Sequence, residues 1–424
     1  MTQTRSKLSA TSVAPWLIIL LAGFASAGTE HATAPPHALI SHQPPPDGHD
    51  GILIAVKDLI DVKGEITTAG SRHLKEHASP ATKDAKCLEI IRRRGVAIVG
   101  KTNLSEFAVG VSGSNDYFGT PVNPIEGDRI PGGSSSGSAV AVALGLADVA
   151  LGTDTAGSIR VPAACCGVSG LKTTFGLISL EGVYPCSPDH LDTIGPLAAD
   201  VEGLVEGMDL LQDGFRSRYA EAVLAKPDCA SIRIGRLYVP ETDPAIEASI
   251  DAMLLAKGFK VVDLDNAFLE AWKKAQHQGN IVAASGAWFT NKHHRHQVHV
   301  SVRAKAAILL GEFEHEGIFK KALSGKAAWQ RVLEETLKDV DAIALPVLRT
   351  VPPKIPKLEE VAIFEARVLA IQNTVAVNFA GNPALAVPVK FAGADFPVTS
   401  VQFIGKHFGE AELLNIGRLA EINR

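Results

Sequence analysis

The chain has 424 residues, 46% of them hydrophobic, and a formal net charge of −5. It is long and apolar enough to bury a large core, as one big α/β domain or two smaller ones. The mild charge gives no reason to expect nucleic acid or an acidic surface as partner. The five cysteines, an odd number, leave at least one thiol unpaired in a monomer and match neither a disulfide framework nor a zinc site.

At the N-terminus Arg5 and Lys7 precede the apolar run Trp16–Ala22, and Ala25-Ser26-Ala27 follows. This order of basic, apolar and small residues predicts a secretory signal peptide over residues 1–27, with an uncleaved anchor as the alternative. The run is short for a membrane span, so no stable span is expected after cleavage. The protein is then periplasmic or secreted. Residues 28–50, rich in proline and histidine without apolar period, read as a linker. One folded domain is expected over 51–424. Residues 51–62 read as a strand, a turn bearing Lys57 and a second short strand. Residues 82–94 have helical spacing, and Gly95–Gly100 is a buried strand.

Gly95 to Thr102 also fits the phosphate-loop pattern G-x-x-x-x-G-K-[ST] letter for letter. That loop needs a strand before its first glycine and a flexible interior. Here a charged helical stretch precedes it and the interior is Val-Ala-Ile-Val, so nucleotide binding is not expected. Residues 112–123 read as a loop.

Residues 131–179 carry the densest signal. Gly132 and Gly133 lead into Ser134, Ser135 and Ser136. A small-residue helix is expected over 139–146 and a short apolar strand over 148–152. Asp154-Thr155-Ala156-Gly157-Ser158 is then a tight turn. Small residues at this density let backbones approach closely and permit unusual turns. Glycines beside a hydroxyl leave backbone N–H groups able to face a ligand. Asp154 and Arg160 read as structural. By residue type alone, Ser134 and Ser135 are equally suited to work with Ser158. Further on, helices are expected over 201–211, 247–256 and 410–422. Strands are expected over 232–238, 259–264 and 341–347, with closing strands over 378–388 and 401–405. His293, His294, His296 and His299 read as a solvated basic face rather than a metal site, because no carboxylate or cysteine joins them at ligand spacing.

The 131–179 stretch closely resembles the amidase signature family of serine hydrolases, strongly over residues 48–200 and more loosely at the C-terminal end. The resemblance implies a single α/β/α domain around a large mixed β-sheet. It makes Ser158 the nucleophile, Ser134 the bridging serine on a cis peptide, and Lys57 the base; it alone selects Ser134 over Ser135. The backbone N–H groups of Thr155, Ala156 and Gly157, with Ser158 as a further candidate, become the oxyanion hole. Gly100-Lys101-Thr102-Asn103 followed by Glu106-Phe107-Ala108 is also familiar in the family, and a buried cysteine is common at Cys166. The chain departs from it at Thr173, where proline is usual, and at Leu177, where arginine is usual. It also has little room for the helices many members place before the lysine.

The chemistry is coherent. A serine hydroxyl needs a base within reach, and a lysine serves only when burial keeps it neutral. The reading implies an exported amidase that works through an acyl-enzyme on a small-molecule amide, with no metal or other cofactor. A homodimer is compatible with it. The alternatives are an esterase or carbamate hydrolase with the same triad, or one component of a glutamine amidotransferase.

Overall fold

The computed structural model describes residues 37–45, 48–356, 361–391 and 396–421; the expected signal peptide lies outside them. Eleven strands form one sheet: β1 (Leu39–His42), β2 (Leu53–Lys57), β3 (Ala97–Thr102), β4 (Val149–Asp154), β5 (Ser169–Lys172), β6 (Thr193–Ala198), β7 (Arg233–Arg236), β8 (Lys260–Asp263), β9 (Ala342–Pro346), β10 (Ala384–Lys390) and β11 (Val398–Ile404). Their order is β1-β3-β2-β4-β6-β5-β10-β11-β9-β7-β8. Parallel trios at β3-β2-β4 and β9-β7-β8 flank an antiparallel middle, so the sheet is mixed as expected.

Central strands are buried along their whole length, which explains their near-continuous apolar sequences. Alternation divides the two faces. Ile54 and Val56 of β2 pack into a core with the helices Val201–Leu211, Pro244–Lys257 and Glu410–Ala420. Ala55 between them faces a second core with the helices Ser136–Ala143 and Arg160–Cys166. A third core surrounds the long helix Asn266–Asn291.

Three expectations are corrected. Residues 39–42, inside the expected linker, form β1 and pair antiparallel with β3. The second short strand after Lys57 is only an isolated bridge between Ile60 and Val183. Asn378 and Phe379 lie within the helix Val375–Ala380, and the strand begins only at Ala384. The phosphate-loop decoy is a strand: Gly95 precedes β3, and the Lys101 ammonium is buried against the Asp58 carboxylate at 2.6 Å.

Candidate active site

The site is assembled where β4 leaves the sheet. Asp154, its last residue, turns its carboxylate back on the chain that follows. It accepts from the amides of Gly157 at 2.8 Å and Ile159 at 3.1 Å, and from the Arg160 guanidinium at 2.9 and 3.0 Å. Burial alone would raise the Asp154 pKa, but the Arg160 guanidinium outweighs it and holds the carboxyl well below the usual range. The turn has no room for a side chain at Gly157. Its φ is +131°, and a Cβ there would lie 2.4 Å from Thr374 Oγ1. Thr374 Oγ1 in turn donates to the carbonyl of Ala156. Ser158 is thereby fixed at the foot of the helix Arg160–Cys166, with Pro162 in its first turn, where a missing N–H costs little.

Lys57 ends β2 and is completely buried. Its Nζ donates to Ser134 Oγ at 2.7 Å and to Thr153 Oγ1 at 2.9 Å. Burial lowers its pKa to about 7; the buried carboxylates Asp154 and Asp192 oppose the shift. The Gly133–Ser134 peptide is cis. Ser135, equivalent by residue type, points elsewhere: its hydroxyl donates to the Thr153 carbonyl at 3.3 Å. Its amide donates to the Ser158 carbonyl at 3.2 Å, which holds the two serine segments side by side. Among the described residues, the Ser158 hydroxyl makes no hydrogen bond, to Ser134 or to any other group. Catalytic contacts of this kind often tighten only with substrate bound.

The turn amides divide. Gly157 N–H is already used by Asp154, so this member of the expected oxyanion set is engaged in holding the loop. No hydrogen bond occupies the amides of Thr155, Ala156 or Ser158 among the described residues. The Thr155 hydroxyl donates to Asp192 Oδ1 at 2.7 Å, and Asp192 also accepts from the amides of Cys186 and Ser187 at 2.9 Å. Burial raises the Asp192 pKa.

Sequence reading missed Thr153 and Asp192 as neighbours of the site. A threonine in an otherwise apolar buried strand was the available signal for the first. It also missed Asn378 and Gln402, which both accept from the Arg160 guanidinium. They come from the far end of the chain, where nothing marks them locally.

The remaining candidates lie apart, except Cys186, whose amide donates to Asp192. The five cysteines are all buried and free. His294, read as solvated, is buried and stacks on Phe107 at 4.9 Å, while His299 pairs with Glu76. Among the described residues, no group of three or more histidines, cysteines or carboxylates could hold a metal ion, and no helix is long and apolar enough to cross a membrane.

Comparison with known proteins agrees with this architecture. The amidase family model matches residues 37–414. One component of the glutamyl-tRNA(Gln) amidotransferase of Halobacterium salinarum is 33% identical over 411 residues, covering 88% of this chain and 95% of the relative. The crystal structure of the Thermotoga maritima protein of the same name superposes with a TM-score of 0.74 at 27% identity, covering 91% of this chain and 88% of that one. A 6-aminohexanoate cyclic dimer hydrolase superposes with a TM-score of 0.76 at 25% identity, covering 87% and 84%.

Proposed function

The chain belongs to the amidase family of hydrolases acting on carbon–nitrogen bonds, and from that premise we propose that it cleaves a small carboxylic amide through an acyl-enzyme on Ser158. Ser158 Oγ attacks the amide carbon. Its proton passes to Ser134 Oγ as the Ser134 proton passes to the neutral Lys57 amine. The amides of Thr155, Ala156 and Ser158 face the developing oxyanion. Return of the proton through Ser134 expels the amine, and water then hydrolyses the ester to release the acid. The observation that carries the reading is the 2.7 Å contact between Lys57 Nζ and Ser134 Oγ, sealed from solvent beside the Ser158 turn.

The test is turnover of a panel of aliphatic, aryl and peptide amides by wild type, Ser158→Ala and Lys57→Ala. Each variant is expected to lose at least about 1,000-fold in kcat/KM. A covalent serine probe is expected to label Ser158 in wild type only. Retained turnover in either variant removes the mechanism. Ester analogues of the best amide separate amidase from esterase.

The N-terminal pattern of residues 1–27 supports export. The likeness to amidotransferase components favours a second reading, in which the site releases ammonia from glutamine for a partner. Glutaminase turnover, with a partner co-purifying from the cytosol, would support that reading; their absence alongside turnover of simple amides would exclude it.

A further inference from the structure

A cavity of about 790 Å³ lies against the N-terminal end of the helix Glu410–Ala420 and borders none of the candidate active-site residues. A smaller pair of hollows lies nearer the chemistry. One, of about 40 Å³, is bounded by Thr153, Thr155, Asp192 and apolar side chains that include Leu59 and Tyr184. A second, of about 170 Å³, shares Pro188 with it as a lining residue. The helix Asn266–Asn291 supplies Ser285 and Phe289 to this second hollow, the helix Val302–Gly317 supplies His315, and the 187–190 segment supplies Ser187 and His190.

Two features mark it as a ligand site. Ser187 and Ser285 are 2% and 1% exposed, both line the hollow, and neither hydroxyl has a hydrogen-bond partner. A buried unpaired hydroxyl costs roughly 1–3 kcal/mol, so two of them lining one hollow suit it to a polar guest. The rest of the lining is rich in rings tilted against one another: Phe319 lies 5.2 Å from the His315 ring and 5.7 Å from the His190 ring, and Phe289 lies 6.1 Å from His315. Among the described residues, the lining carries one carboxylate, that of Asp189, exposed at the rim; Lys326 sits behind, donating to the His190 carbonyl. An apolar cavity of about 150 Å³ accepts benzene, so a single ring fits this volume.

We propose that this hollow is the distal subsite for substrate, and that it takes an uncharged flat ring bearing a hydrogen-bonding atom, such as a heteroaryl group on the acid side of the amide. It is coupled to the reaction centre by a short path: the Ser187 amide donates to Asp192, and Asp192 accepts from Thr155 of the turn. The assignment rests on the amidase reading above. It adds the substrate class.

The test separates the two ideas by measuring binding without turnover. Titration calorimetry on Ser158→Ala compares 3-(pyridin-3-yl)propanamide, 3-phenylpropanamide and propanamide. The pyridyl amide is expected to bind about tenfold tighter than the phenyl amide, and the phenyl amide at least about tenfold tighter than propanamide. In a protein that also carries Ser187→Ala and Ser285→Ala, the pyridyl preference is expected to vanish while phenyl binding is kept, which also shows that the variant is folded. Equal affinity for all three amides, or a pyridyl preference that survives loss of both hydroxyls, overturns the subsite. Ring-dependent binding with no wild-type turnover of any amide keeps the subsite and removes the amidase mechanism.

Discussion

At the residue scale the site turns on one amine whose charge the fold removes. Because burial brings the Lys57 pKa down to about 7, the neutral, competent form grows in as pH rises. The kcat/KM profile is therefore expected to rise through an acid limb centred near pH 7. Asp192 opposes the depression, so Asp192→Asn is expected to move that limb to lower pH; an unmoved limb would exclude the electrostatic coupling. The same burial has a thermodynamic cost. A lysine depressed from 10.5 in the unfolded chain to about 7 in the fold destabilises the fold at every pH below the unfolded value. Each unit corresponds to about 1.4 kcal/mol. Lys57→Met removes that cost and leaves the hydroxyls of Ser134 and Thr153 short of one donor. It is expected to abolish turnover while raising stability at pH 7, by on the order of 2 kcal/mol. A lower Tm in this variant would count against a neutral-amine base.

At the scale of elements, the strand β4, the turn and the helix Arg160–Cys166 behave as one fitting. Asp154 closes the turn, and Arg160 ties it to the carbonyl of Thr374 at 3.0 Å and to the side chains of Asn378 and Gln402. Groups more than 200 positions away in sequence thus meet on one guanidinium. Removing half of a buried, hydrogen-bonded pair leaves the other charge uncompensated, at about 3–5 kcal/mol. Arg160→Met is expected to lower unfolding stability by that amount in urea titration, with loss of turnover. A change under about 1 kcal/mol would show that the turn holds itself.

Across the whole molecule, acid stability is set by groups the reaction does not use. His294 is buried against Phe107, and burial lowers its pKa to about 4. It binds its proton near 6.5 in the unfolded chain, so its contribution is complete above that pH and is lost as pH falls toward 4. Asp154, held below its ordinary value by Arg160, adds a loss at still lower pH. The Tm is expected to fall between pH 6.5 and 4. His294→Phe, which keeps the stacked ring and removes the unpartnered Nδ1, is expected to flatten that part of the curve.

The amino-acid sequence by itself determined the local elements whose period is strong, such as the helix Val201–Leu211 and the strands β3 and β9. It also pointed to the turn at 154–158, because glycine permits the positive φ of +131° that Gly157 adopts there. Residue type alone left open which serine meets Lys57; the family resemblance named Ser134, and the tertiary structure brings it there. Ser134 and Ser135 carry the same hydroxyl, and backbone geometry turns one toward the lysine and the other toward a carbonyl. The same holds for the strand Leu39–His42, which has no apolar period of its own and is a strand because β3 offers it an edge. Asp192, Asn378 and Gln402 also had no local signature, since a polar side chain acquires its partner from folds of the chain that sequence spacing does not record.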